Sequence, residues 1–364
     1  MRHRFQALCP YFAMFPESFA STWISRLTKP GDAILDPFCG RGTAPFQALL
    51  MGRRAIGSDI NPVAYCVTRA KTNAPKLPSV RRRITVLEKA FEPDKWETER
   101  KKLPEFFRRA YTPLTARQLL YLRNRLNWAC SDVDCMIAAI ILGALHGESQ
   151  KSPYYLSNRM PRTISTKPGY SIRFWEKHGY KPPKRDAFNV LRNRVDYRYQ
   201  SSPPEMRALV LQSDIRDLAR VSSSFPKPLR CVVTSPPYFN VTNFEEDQWL
   251  RLWFLGGPPR PTYGRISRDD RHKAEESYWN LISDMWQVLG CVLDEKGDVV
   301  IRLGGKHLDA AQIVRGLTAT SASSKRGVTL VSDEVSMIRN RQTDVFRPGS
   351  QGCKFEVDCH FRLS

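Results

Sequence analysis

Ala33-Ile34-Leu35-Asp36-Pro37-Phe38-Cys39-Gly40-Arg41-Gly42-Thr43 is the stretch that decides the fold. A short apolar run, Ala33 to Leu35, ends in an acid, and a loop with two glycines follows. Thr43 to Met51 then carries Ala44, Phe46, Ala48, Leu49 and Leu50, a helical pattern. Strand, glycine loop and helix in this order open a crossover unit of a parallel sheet. Gly40 and Gly42 permit backbone conformations and close approaches that a β-carbon would hinder. The helix N-terminus beyond them presents unpaired N–H groups to an anion. No Lys-Ser or Lys-Thr follows to take nucleotide phosphates, and the three-glycine dinucleotide spacing is missing.

The alternation continues outward. Arg54 to Ser58 reads as a second strand, and Asn61 as the cap of a helix whose first turn begins at Pro62. A helix over Glu17 to Leu27 precedes the sheet. From Pro75 the alternation stops. Residues 84–146 are helical by period, while 151–204 are rich in Pro, Tyr, Arg and Lys with weak periodicity. That second half reads either as a loop-rich surface or as an arm ordered on binding. Strands return at Leu209 to Leu211, Leu229 to Val233 and Asp298 to Leu303, with helices near Ile215 to Val221 and Glu275 to Leu293. Val328 to Val335 and Phe355 to Phe361 read as a terminal antiparallel pair. The predicted architecture is α/β: a doubly wound, Rossmann-like sheet built from residues 1–74 and 208–364, interrupted by a basic, mainly helical insertion at 75–207.

The 364 residues carry a net charge of +21, which points to a polyanionic partner. Pro75 to Arg207 hold 27 Lys or Arg against 13 Asp or Glu, a local balance of +14, so the excess is concentrated in the insertion. Nine scattered cysteines without a Cys-x-x-Cys pair argue for reduced thiols, and with six dispersed histidines they predict no metal site. No apolar run is long enough to span a membrane. The basic N-terminus lacks the apolar stretch of a secretory signal, so the expected location is cytoplasmic.

Three acids fall at successive strand ends: Asp36, Asp59 and Asp214. Singly, each reads as a helix cap or turn former. As a set around a glycine loop they suit a ligand, with Asp59 accepting ribose hydroxyls and Asp214 accepting from an adenine amino group. Ser235-Pro236-Pro237-Tyr238 follows the apolar run Cys231 to Val233. An exocyclic amine is a poor nucleophile because its lone pair is delocalised into the ring. Ser235 can accept one amino hydrogen and the Pro236 carbonyl the other, which frees that lone pair. Two prolines stiffen the loop, and Tyr238 can stack on the ring. The plain alternative is a strand ending in a Pro-Pro turn.

Asp36 to Thr43, Ile56-Gly57-Ser58-Asp59 and Thr234 to Tyr238 together resemble the DNA amino-methyltransferases. These use S-adenosylmethionine to modify cytosine N4 or adenine N6. The resemblance implies that Asp36, Pro37, Phe38, Gly40, Gly42, Thr43 and Thr234 line the methionine side of the cofactor. Asp59, Ile60, Asn61 and Asp214 would hold its adenosine. Phe12-Ala13-Met14-Phe15-Pro16 is similar to the family's upstream motif, so Phe15 and Pro16 would close over the methionine end. A Ser before Pro-Pro is commoner for cytosine N4 in that family, with adenine N6 as the alternative. The implied partner is duplex DNA with the target base flipped out, and a companion restriction endonuclease is a partner the resemblance allows. Cytosine carbon-5 methylation is disfavoured, since no Pro-Cys-Gln is present. An RNA guanine-N2 methyltransferase and a non-catalytic nucleic-acid binder are the other readings.

Basic residues interleaved with aromatics supply the nucleic-acid candidates: Arg173 and Lys177 around Phe174-Trp175, then Lys184 and Arg185. A second set, Arg339, Arg341 and Arg347, lies in a loop between the last two strands. Trp249 and Trp253 either line a base pocket or pack a helix. The aromatics of the insertion likewise read either as base-stacking groups or as core.

Overall fold

The computed structural model describes residues 2–11, 14–147, 154–159, 167–240, 244–262, 274–338 and 353–364. The chain divides into two compact units. One comprises residues 13–68, 204–242 and 266–364, and the other 1–12, 69–203 and 243–265.

The first unit holds a seven-stranded sheet. Its strands are β1 (Ala33–Asp36), β2 (Arg54–Ser58), β3 (Leu209–Leu211), β4 (Leu229–Thr234), β5 (Gly297–Gly305), β6 (Val328–Met337) and β7 (Phe355–Leu363). Their order is β3-β2-β1-β4-β5-β7-β6. The first five are parallel, and β7 runs antiparallel to both β5 and β6. This is the doubly wound α/β, Rossmann-like sheet predicted, with the terminal antiparallel pair at one edge. The insertion separates β2 from β3 in sequence, yet Ile56 to Ser58 pair in register with Leu209 to Leu211.

Both faces of the sheet's centre are covered, which is why β1 and β4 are buried at nearly every position, whereas the edge strand β6 is largely exposed. Along β4, Cys231 and Val233 face one side, against α1 (Glu17–Leu27) and α2 (Thr43–Leu50). Val232 faces the other, against helices Glu275–Val292 and Ala310–Ser321. Asp309 starts the latter helix with a capping box, exchanging hydrogen bonds with Gln312. The strand order reverses between β1 and β4, so the carboxyl ends of these two strands open a crevice.

The second unit is helical. Residues 151–204, expected as loop or arm, contain two helices, Pro168–Lys177 and Ala187–Arg198. Asp186 caps the second by accepting from Asn189 N, and Gln118 braces that cap by donating to Asp186 Oδ2 and accepting from Ala187 N. These signals are single residues in polar sequence, too sparse to raise a period. Part of the basic charge is structural. Arg83 pairs with Asp134, Arg81 with Asp196 and Arg192 with Glu88. Residues 243–265, read in the sequence as part of the sheet domain, belong to this unit. Their helix Phe244–Phe254 buries Trp249 and Trp253 against Phe106 and Phe107. Among the described residues no helix is long and apolar enough to cross a membrane, and no cluster of metal-binding side chains occurs.

Candidate active site

The site lies within the sheet unit, where β1 and β4 end side by side. Asp36 closes β1 and is fully buried. Its Oδ1 accepts from Thr234 Oγ1 at 2.7 Å and from Phe38 N at 3.2 Å. Its Oδ2 is buried with no hydrogen-bond partner among the described residues. Burial pushes the Asp36 carboxyl up to about 7, against the hydrogen bond from Thr234.

The glycine loop takes the conformation its residues demand. Gly40 has φ +52° and Gly42 has φ +70°, the left-handed region that disfavours a β-carbon. A Cβ on Gly42 would also stand 2.5 Å from Thr68 Oγ1. Thr68 donates to the Gly40 carbonyl at 3.0 Å. Asp59, just beyond β2, ties the loop down: Oδ2 accepts from Gly40 N at 2.8 Å and Oδ1 from Asn61 N at 2.9 Å. Desolvation raises its carboxyl to about 6. Asn61 caps the next helix, Pro62–Thr72, as expected, by accepting from Val63 N. Cys39 is a small buried residue whose thiol donates to Thr68 Oγ1.

The sequence reading missed Arg41 and Glu17. Arg41 is buried, donates Nε to Thr43 Oγ1 and pairs with Glu17 Oε1 at 3.1 Å, joining the loop to the start of α1. The charge complementarity of Glu17 and Arg41 was visible, but their proximity was not. Phe15 is buried against Phe19 in the core beside α2, and Pro16 is the exposed N-cap of α1. Phe12 and Ala13 lie outside the described residues.

Asp214 sits beyond β3 and caps the 3₁₀ helix Ile215–Ser224. Both its oxygens accept from the Arg216 guanidinium, at 3.0 and 3.1 Å. An adenine amino group would share those carboxylate oxygens with the Arg216 guanidinium.

The Ser-Pro-Pro-Tyr loop leaves β4 directly after Thr234. Pro236 is buried, and Ser235, Pro237 and Tyr238 are half-buried. Ser235 Oγ donates to Tyr238 Oη at 3.4 Å, and Tyr238 Oη donates to Glu356 Oε1 at 3.0 Å. With its proton so directed, Ser235 keeps lone pairs to accept from another donor. Burial and the Glu356 carboxylate hold the Tyr238 phenol well above its ordinary pKa. Glu356 and Arg302 gave no signal in the sequence. They reach the loop only through the pairing of β5 with β7.

Of the nucleic-acid candidates, Arg173, Lys177 and Lys184 are exposed, and Arg185 donates Nε to the Tyr155 carbonyl. Trp175 is core: it is buried, lies against Phe106 and donates Nε1 to the Arg159 carbonyl. Tyr197 is half exposed, with Arg4 stacked 4.3 Å from its centroid. Arg339, Arg341 and Arg347 lie outside the described residues.

Residues 3–68 match the N6/N4 methyltransferase family, described as "DNA methylase". The match spans the glycine loop and Asp59 and ends before Ser235. No curated protein matches the chain. Solved structures similar to it include the rRNA methyltransferase aviRa of Streptomyces viridochromogenes, at 12% identity and TM-score 0.34, with 97% of this chain and 87% of that one covered. Another is TrmN of Thermus thermophilus, at 12% identity and TM-score 0.38, with 100% and 53% covered. A third is a TehB-like SAM-dependent methyltransferase of Corynebacterium glutamicum, at 9% identity and TM-score 0.33, with 95% and 88% covered. The family match, on the strand-end loop where this sheet opens its crevice, supports a methyltransferase.

Proposed function

We propose that this protein transfers a methyl group from S-adenosylmethionine to the exocyclic amino group of a base flipped out of duplex DNA, with cytosine N4 as the target. The observation that carries the reading is the hydrogen bond from Thr234 to Asp36, which fixes the glycine loop beside the Ser-Pro-Pro-Tyr loop. A methyl donor and an amine acceptor must meet head to tail, and these loops border one crevice.

The residues fit the cofactor. Asp36 offers an orphaned, buried carboxylate oxygen, suited to the ammonium of a methionine moiety. A β-carbon on Gly42 would strike the Thr68 side chain, so the bare glycine keeps the loop in its shape. Asp59 has lone pairs beyond the two it gives to Gly40 and Asn61, and these take ribose hydroxyls. When bound, S-adenosylmethionine supplies the sulfonium methyl. Ser235 Oγ accepts one amino hydrogen and the Pro236 carbonyl the other, pulling the nitrogen towards sp³ geometry. The rate gain comes from placement and polarisation, with no covalent enzyme intermediate. A DNA target is favoured by the matched family's description and by the exposed basic residues Arg173, Lys177 and Lys184.

Tritium transfer from labelled S-adenosylmethionine to duplex DNA, tRNA and rRNA, followed by nucleoside mass spectrometry, tests the reading. N4-methylcytosine in DNA is expected. N6-methyladenine or N2-methylguanine would move the target, and no transfer to any nucleic acid would overturn the proposal.

A further inference from the structure

We propose that Tyr238 and Glu356 form a proton relay, entered at Ser235, that removes the proton an amino group must lose on methylation. The inference rests on the reading of Ser235 as acceptor of the substrate amine. As the nitrogen lone pair forms the new N–C bond, the C–S bond breaks and its electron pair stays on sulfur. The sulfonium becomes a neutral thioether, and the nitrogen is left cationic with one proton too many. That proton passes to Ser235 Oγ, the Ser235 proton to Tyr238 Oη, and the Tyr238 proton to Glu356 Oε1. The products are a neutral methylated amine and a neutral Glu356, which returns its proton to water.

The hydrogen bonds already run in that direction. Ser235 donates to Tyr238 and Tyr238 donates to Glu356, so each hydroxyl can pass its proton on while receiving another. The sheet register builds the path. Glu356 on β7 pairs with Gly304 on β5. A Cβ on Gly304 would stand 2.3 Å from Tyr238 Cε2, so the bare backbone there makes room for the ring. Arg302 anchors the relay's end: its Nη1 lies 3.1 Å from Glu356 Oε2. Arg302 is itself fixed by a fork to Asp358, at 2.6 and 2.7 Å, and by stacking 3.9 Å from the Phe19 ring centroid. The Glu356 side chain is 19% exposed, enough to exchange its proton with solvent. A tyrosine kept only for packing would need neither a carboxylate at its hydroxyl nor a serine behind it.

The test uses the full chain, single-turnover methyl transfer to a random-sequence duplex DNA pool, and calorimetric binding of S-adenosylhomocysteine. Glu356→Gln keeps an acceptor for Tyr238 but lacks basicity. It is expected to slow transfer about 100-fold, with ligand affinity within threefold of wild type. Glu356→Ala should be equally slow and should regain rate with added formate. Tyr238→Phe, which keeps the ring, should lose a similar factor without formate rescue. A Glu356→Gln rate equal to wild type overturns the relay. So does an Ala variant that formate does not restore, or an affinity loss in step with the rate, each marking Glu356 as a structural brace. Failure of the underlying reading looks different, because wild type itself would then methylate no nucleic acid.

Discussion

Thr234 Oγ1 lies 2.7 Å from Asp36 Oδ1, joining residues at the ends of two adjacent parallel strands. Both side chains are fully buried, so water replaces neither partner. Thr234→Val keeps the volume and removes the donor. We expect a loss of about 1–3 kcal/mol in unfolding free energy, with weaker S-adenosylmethionine binding. Urea unfolding and calorimetry check this. Unchanged values in both would mean that the two loops hold their separation without the bond.

The carboxyls of Asp36 and Asp59 are raised by desolvation to about 7 and about 6. A carboxyl raised on folding binds its proton more tightly in the native state. Its stabilising contribution is therefore full below the unfolded value and lost as pH rises through the folded one. For the protein without ligand, the stability difference between wild type and Asp36→Asn should fall from pH 4 to pH 7, by up to about 1.4 kcal/mol per pH unit. Denaturation across that range measures it, and a flat difference would contradict the burial assigned to Asp36. Binding of a cationic ligand at Asp36 should tighten over the same range.

Gly42 and Gly31 both have positive φ, at +70° and +90°, but different surroundings. Nothing lies within 4 Å of a Cβ on Gly31, whereas one on Gly42 meets Thr68. Gly31→Ala should cost about 1–2 kcal/mol of backbone strain and leave cofactor affinity alone. Gly42→Ala should cost more and lose affinity as well. Adding Thr68→Ala to Gly42→Ala should recover part of the stability, as melting curves of the three variants would show.

Arg173, Lys177 and Lys184 are exposed on the helical unit. If they neutralise phosphates, changing all three to Gln should lower the slope of log affinity against log salt by about 0.9 for each contact. Filter binding of duplex DNA from 50 to 200 mM salt, as about the useful range, reads that slope. An unaltered slope would put the DNA contacts on other residues.

Much of the sheet was legible because its code is local. Alternation of apolar runs with helical periods marked the five parallel strands, the stretches Val328 to Val335 and Phe355 to Phe361 read as the antiparallel pair, and Asn61-Pro62 marked a helix start. The glycines of the loop declared their conformations in the same way, since a missing β-carbon is a property of one residue. Tertiary structure decided the partners. It paired Glu356 with Tyr238 across 118 residues, set Arg302 between two acids, gave Asp214 to Arg216, and turned Trp175 and Trp249 into core. Side-chain partnership depends on which strands and helices come together. Neither strand register nor helix packing is written in any contiguous stretch of chain.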